Sequence, residues 1–166
     1  MHGEPGLYTE EERQRRDASP WTRVQGVLAP LQFLVFLISL GLVLRFLATG
    51  EGAGAATASV IVKTLVLYAI MITGSVWERD VFGQYLFARP FFWEDVVSMG
   101  VLALHTAYLL CVGLGWLGIL GQMILALAAY SAYVLNAAQF LLKFRRARLQ
   151  SAAGRPIAAQ ALGAAR

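Results

Sequence analysis

The sequence predicts an all-α integral membrane protein, a four-transmembrane-helix bundle with both termini cytoplasmic. Three observations point there. Hydrophobic residues make up 58% of the chain and charged residues 14%, with a mean hydropathy of +0.59, whereas soluble globular chains carry about 25% charged residues. Apart from Arg45, Glu51 and Lys63, the charges fall in three patches: the first two dozen residues, Glu78 to Asp95, and Lys143 onward. The intervening stretches are long enough to cross a bilayer, which takes roughly 20 apolar residues per helix.

Residues 1–19 form a cytoplasmic arm. Within it LYTEEERQRRDASPW reads as a short surface helix, with Thr9 and Glu12 at capping-box spacing and Arg13, Arg15 and Arg16 where the helix dipole favours cations. The arm is polar and charged, unlike the apolar stretch of a cleavable signal. Ser19-Pro20 then pairs a good N-cap with a good first helical residue, and Trp21 suits headgroup depth. The membrane domain spans 20–149. Its first helix covers 24–48, bent near its start by Pro30. The loop TGEGAGAAT forms an external turn. The second helix covers 57–78, and its Lys63 is expected to snorkel outward along its aliphatic stem. The patch ERDVFGQYLFARPFFWED mixes aromatics and charges, as an interfacial loop does. Between Val96 and Leu142 there is no Asp, Glu, Lys or Arg, a run too long for one span at about 1.5 Å per residue. Its glycines, Gly113, Gly115, Gly118 and Gly121, divide it into helices at 95–114 and 117–144. The small-residue tail 150–166 reads as a flexible cytoplasmic extension.

The basic residues set the orientation. In a four-span chain, Arg13, Arg15, Arg16, Arg23, Arg79, Arg89, Lys143, Arg145, Arg146 and Arg148 lie on one side, with Arg45 and Lys63 towards the other. The positive-inside rule makes the crowded side cytoplasmic. The same distribution explains the net charge of +4 through topology and lipid headgroups, not nucleic acid. The single cysteine, Cys111, lies in an apolar run and reads as a small hydrophobe. No Cys/His metal spacing, phosphate-binding loop, dinucleotide fingerprint or nucleophile elbow occurs. Acid–base chemistry remains open.

Polar residues within spans are costly and tend to face the bundle interior. Glu78 ends the second helix and Glu94-Asp95 begin the third, so carboxylates gather at the cytoplasmic boundary. Gln25 and Gln32 on the first helix and Asn136 and Gln139 on the fourth lie at similar depth. Helical spacing draws stripes through Tyr68, Met71, Ser75 and Glu78, through Asp95, Ser98, Leu102 and His105, and through Gln122, Ala129 and Asn136, with Ala126 and Tyr133 alongside. These stripes imply a cavity open to the cytoplasmic leaflet, with His105 its deepest ionisable group. Blander roles compete. Asp95 at a helix N-terminus suits the dipole, and Glu78 has Arg79 and Arg89 for surface partners. Gln and Asn serve as interhelical hydrogen-bond glue. For His105 the bland role is a neutral ring bonded to a tyrosine such as Tyr108, although an ionisable residue within a span is by default a functional candidate. The aromatics from Phe82 to Trp93 suit a headgroup belt.

Four long stretches carry a family resemblance: LYTEEERQRRDASPWTRVQGVLAPLQFLVF, KTLVLYAIMITGSVWERDVFGQYLFA, FFWEDVVSMGVLALHTAYL and YVLNAAQFLLKFRRARL. Together they resemble the 3-vinyl (2-vinyl) bacteriochlorophyllide hydratases of bacteriochlorophyll synthesis, over 7–149. The resemblance implies a lyase in the inner or intracytoplasmic membrane of a phototrophic bacterium. It adds water across the C3 vinyl group of a chlorophyllide or bacteriochlorophyllide to give the 1-hydroxyethyl derivative. It implies a magnesium tetrapyrrole as substrate, no cofactor, and contact with other enzymes of the pathway.

Site assignments come from the cavity, not from the resemblance. Protonating the terminal vinyl carbon leaves a cation that the macrocycle delocalises, and water then attacks the inner carbon as a base takes its proton. An acid kept protonated by burial or by a neighbouring carboxylate suits the first step. Glu94 or Asp95 is the expected acid, and Glu78 the base or cation stabiliser. Adjacent helix positions point about 100° apart, so only one of Glu94 and Asp95 faces inward. His105 is expected either to move protons or, preferably, to bind the substrate's magnesium as an axial ligand; no metal held by the protein is expected. Tyr68, Trp93, Tyr108, Tyr133, Asn136, Gln32 and Arg23 complete the expected substrate contacts, with the pigment's carboxylates near Arg23, Arg79 or Arg89. The competing readings are a non-catalytic pigment-binding or photosystem assembly protein and, less favoured, a quinone-binding membrane subunit.

Overall fold

The structure is a computed structural model that describes the backbone of residues 7–163 and the side chains of residues 7–149. Among the described residues there are five α-helices and one 3-10 turn, and no strand. α1 (Glu10–Ala18) is the expected surface helix. Thr9 Oγ1 accepts from the Glu12 amide at 3.2 Å and the Thr9 amide donates to Glu12 at 2.8 Å, completing the capping box. Ser19 ends α1 and caps α2 (Pro20–Thr49), whose first residue is Pro20. α3 (Ala53–Phe82) begins after a tight turn whose Gly50 and Gly52 have φ of 74° and 82°, the left-handed region that glycine enters without strain. The external turn is thereby shorter than the glycine-rich composition predicts. After a loop and the 3-10 turn Arg89–Phe91 come α4 (Phe92–Gly113) and α5 (Ile119–Gly163). Part of the stretch expected as a flexible tail thus lies on α5, and 164–166 fall outside the described residues.

Four of these helices, α2 to α5, are long and apolar enough to cross a membrane. Leucines, isoleucines and valines such as Leu34, Ile38, Val62, Leu65, Ile72 and Leu141 point outward, each about half exposed or more. In water such a belt would aggregate; in hydrocarbon it is the natural solvent face.

The helices pack as two hairpins, α2 on α3 and α4 on α5, with far fewer contacts crossing between the pairs. Away from α1 the hairpins are locked together. Phe36 packs its ring edge-on against Tyr130 at 5.3 Å and tilted against Tyr133 at 5.0 Å. Ser39 links to the Tyr130 hydroxyl at 2.5 Å and to Ser59 at 2.7 Å. Lys63 completes this lock and corrects the snorkelling expectation. It is fully buried, with Nζ 3.0 Å from His105 Nε2 and 3.9 Å from the Tyr133 ring centre. Lys63 stands roughly 15 Å from the start of α3 by helix rise, beyond the reach of its stem. An imidazole acceptor and an aromatic face take the place of water.

At the end nearer α1, helices α2 and α5 part around a cavity. Phe91 at the start of α4 still packs there against Trp77 and Phe82 of α3, at 5.7 and 5.8 Å, and Phe140 of α5, at 6.0 Å. There α2 stays tied to α3 alone, through Gln25 to Thr73 at 2.7 Å and Trp77 to Thr22 at 2.9 Å. Ser19 reaches Asp80 at 2.9 Å and anchors the arm. Tyr8 stacks on Phe82 at 5.9 Å beneath Arg16, and burial pushes its phenol pKa up to about 12, so the ring stays neutral. The result is a bundle closed at one end and cleft at the other.

Candidate functional site

The cleft is a cavity of about 1580 Å³ between the hairpins, larger than the roughly 300–1,000 Å³ of ordinary small-molecule pockets. It is mostly apolar, with a few polar side chains along its wall: Gln25 and Gln32 from α2, Ser75 and Glu78 from α3, Asp95 and Ser98 from α4, and Asn136 from α5. At its mouth stand Arg13, Arg16 and Arg148.

Its chemical focus is Glu78 and Asp95. Glu78 lies in the last turns of α3 and Asp95 in the first turn of α4, so the connecting loop folds back over both. The loop brings the two carboxyl groups together, and both residues are buried, at 5% and 4% exposure. Consecutive loop amides serve them separately: Phe87 donates to Asp95 at 2.7 Å and Ala88 to Glu78 at 3.2 Å. Presenting both amides requires an unusual backbone. Phe87 has φ of 61°, in the left-handed region that a bulky residue rarely enters. Strain of this kind persists only where the surroundings over-determine it, and it concentrates at functional sites.

Asp95 faces the cavity and Glu94 does not. Glu94 turns to α5 and pairs with Lys143 at 2.5 Å, and the same ammonium also donates to the Pro90 carbonyl. One turn past Asp95, Ser98 accepts a 2.7 Å bond from the Asn136 side-chain nitrogen, which ties α4 to α5. The Asn136 side-chain oxygen is buried without a partner among the described residues. Gln32, at 2% exposure, has neither amide atom partnered among the described residues.

The other expected site residues divide. Tyr133, Asn136 and Gln32 line the cavity. Tyr68 bonds Thr106 at 2.7 Å away from it, and Tyr108 is fully buried in the core of the closed end. Trp93 is 69% exposed on the outer surface, and Arg23 is exposed and off the lining. His105 lies below the cavity. Its Nδ1 bonds the Val101 carbonyl at 2.8 Å and its Nε2 meets Lys63, so neither nitrogen is free for a ligand. The stripe through Asp95, Ser98 and His105 is real, but it descends from the cleft into the locked end. Sequence reasoning missed Arg13, Arg16 and Arg148 at the mouth and the amides of Phe87 and Ala88. The amides leave no trace in side-chain identity.

Among the described residues no group of three His, Cys, Asp or Glu side chains is placed to hold a metal ion. The cavity offers a large, mostly apolar space with two buried carboxyl groups on its wall.

Comparison with known proteins bears on what such a space serves. A family model described as 2-vinyl bacteriochlorophyllide hydratase matches residues 8–146. The 2-vinyl bacteriochlorophyllide hydratase of Rhodobacter capsulatus is 66% identical over 146 residues, 88% of this chain and 85% of the relative. That of Cereibacter sphaeroides is 68% identical over 143 residues, 86% of this chain and 89% of the relative. No solved structure matches.

Proposed function

The chain belongs to the 2-vinyl bacteriochlorophyllide hydratase family, and from that premise we propose how its cleft hydrates the vinyl group. The protein is a hydro-lyase of bacteriochlorophyll biosynthesis acting on a tetrapyrrole. We place it in the inner membrane of a phototrophic bacterium with α1 and both termini cytoplasmic, because the basic residues crowd at that end. The cleft then opens to the cytoplasmic leaflet. A flat, oily macrocycle enters it sideways between α2 and α5, whose facing residues Gln25, Ala29 and Phe33 and Asn136, Phe140 and Phe144 line the cavity.

The single observation that carries the mechanism is that adjacent amides of one loop, Phe87 and Ala88, donate to Asp95 and Glu78 and so hold the two carboxyls side by side. Two carboxyls this close share one proton at low cost, as like charges at such range resist joint ionisation. Asp95 gives that proton to the terminal vinyl carbon. The π bond's electron pair forms the new C–H bond, and the positive charge on the inner carbon spreads into the macrocycle. The two carboxylates stabilise this charge while it lasts. Water, held by the unpartnered oxygen of Asn136 beside Ser98, attacks the inner carbon, and Glu78 accepts the proton it releases. The pair ends with one proton, as it began, so each turnover restores the catalyst without exchange with solvent. The loop amides keep both carboxyls in place throughout.

His105 has no part in this scheme, and the substrate's magnesium needs no ligand from it. Glu94 holds α4 to α5 and carries no proton to the pigment. The test is direct. Membranes bearing Glu78→Gln or Asp95→Asn are incubated with vinyl pigment, and the blue shift of the red absorption band is followed as conjugation is lost. Both variants should bind pigment and fail to convert it. Full turnover by either removes the carboxyl pair from the mechanism. Pigment that wild-type membranes bind and never alter would favour a non-catalytic carrier.

A further inference from the structure

Gln32 is anomalous. It lies on the α2 face that lines the cleft, 2% exposed, with no partner for either amide atom among the described residues. Buried amides are nearly always satisfied, and an exception calls for a missing partner. No neighbouring helix supplies it among the described residues. Gln32 sits midway between Gln25, which bonds Thr73, and Ser39, which bonds Tyr130. It therefore marks the floor of the cleft, just above the lock between the hairpins.

Its distance from the carboxyl pair is informative. Thr22 lies level with Trp77, the neighbour of Glu78. Ten residues of α2 separate Thr22 from Gln32, so the amide lies roughly 15 Å deeper than the carboxyls. A tetrapyrrole with its vinyl group at Glu78 and Asp95 and its ring plane along the bundle axis presents its opposite edge at this depth. On that edge of a bacteriochlorophyllide stands the ketone of the fifth ring, a conjugated carbonyl that accepts hydrogen bonds and has no donor of its own.

We propose that Gln32 is a specificity and positioning residue whose side-chain N–H donates to the ring ketone of the pigment and so sets the vinyl group against the carboxyl pair. This rests on the placement of chemistry at Glu78 and Asp95. A rigid macrocycle pinned at one edge by an amide has its reactive group fixed at the other, which is how a contact remote from the reacting bond aids it. The site selects pigments that carry the ketone over tetrapyrroles in which the fifth ring is not yet closed, because only the former satisfy the buried donor.

The test uses the full-length protein in membranes or detergent, with bacteriochlorophyllide as the bound probe. Vibrational spectra of the complex report the ketone stretch directly. In wild-type protein the stretch should lie lower than in a non-bonding solvent. Gln32→Leu, which fills the same space with an apolar side chain, should return it to the free position and raise KM about three- to tenfold, the worth of one neutral hydrogen bond. An analogue with the ketone reduced to methylene should lose the wild-type advantage and react no better with wild type than with Gln32→Leu. Glu78→Gln separates the two readings: it should lose turnover while keeping the lowered stretch. If Glu78→Gln turns over normally and the stretch still depends on Gln32, the carboxyl assignment fails alone. An identical ketone stretch in wild type and Gln32→Leu overturns the proposal. So does the reverse pose, in which Arg13→Ala or Arg148→Ala, and not Gln32→Leu, shifts the stretch.

Discussion

Glu78 and Asp95 meet through the ends of two antiparallel helices, and neighbouring amides of one short loop divide between them, Phe87 to Asp95 and Ala88 to Glu78. The loop thereby does what a cation would do in a soluble enzyme, without the bulk of a side chain. Backbone donors suit this task because they neither titrate nor move out of register when a flat substrate slides past. From this arrangement follow several expected outcomes.

Asp95→Asn and Glu78→Gln should each lower the rate of hydration by about 10²- to 10⁴-fold, the usual worth of a positioned acid or base. Because the two share one task, the double substitution should cost little more than the worse single one. Rates read from loss of the vinyl-conjugated red band decide it; strictly multiplicative effects would show that the two carboxyls act independently.

Glu94→Gln should behave differently from Asp95→Asn, although the two positions are adjacent. Glu94 is 7% exposed and its salt bridge to Lys143 joins α4 to α5. Removing the charge leaves a partly buried ammonium underpaired, which should cost about 2 kcal/mol of stability. The thermal midpoint in detergent should fall while turnover of the folded fraction stays near wild type. Loss of turnover at unchanged stability would return Glu94 to the list of acids.

His105→Leu should destabilise the fold, because His105 is the one hydrogen-bond acceptor of Lys63 among the described residues. Adding Lys63→Met should recover most of the loss, since replacing both members of a buried polar pair with apolar groups is often neutral. A double-mutant cycle on thermal stability reads the coupling. The spectrum of bound pigment should be the same in all three proteins. A shifted spectrum on loss of His105 would restore it as a magnesium ligand.

Phe87→Gly should keep activity, because it retains the amide that Asp95 accepts from and removes the penalty of a left-handed bulky residue, about 1–2 kcal/mol. The ring is 40% exposed and touches Phe92 at 5.8 Å, so part of that gain is offset. Chemical or thermal unfolding should show a protein no less stable than wild type. A large loss of turnover would mean that the ring itself contacts pigment.

Much of this protein is written along its length. Long apolar runs predict the four spans, and Thr9 with Glu12 and Ser19 with Pro20 predict where α1 and α2 begin, because capping depends on residues a turn apart and hydropathy on one continuous stretch of chain. Helical periodicity also places Glu78, Asp95, Ser98 and Asn136 on inward faces. Periodicity says which way a side chain points but not how far apart two helices stand. Helices α2 and α5 are locked at one end and parted at the other, so one inward stripe serves two environments: Asp95 opens on the cleft and His105, on the same face, is sealed under Lys63. The choice between Glu94 and Asp95 was likewise a tertiary matter, decided by where Lys143 of α5 comes to rest. The loop amides of Phe87 and Ala88 belong to no side chain and become donors only when the chain turns back over its own helix ends.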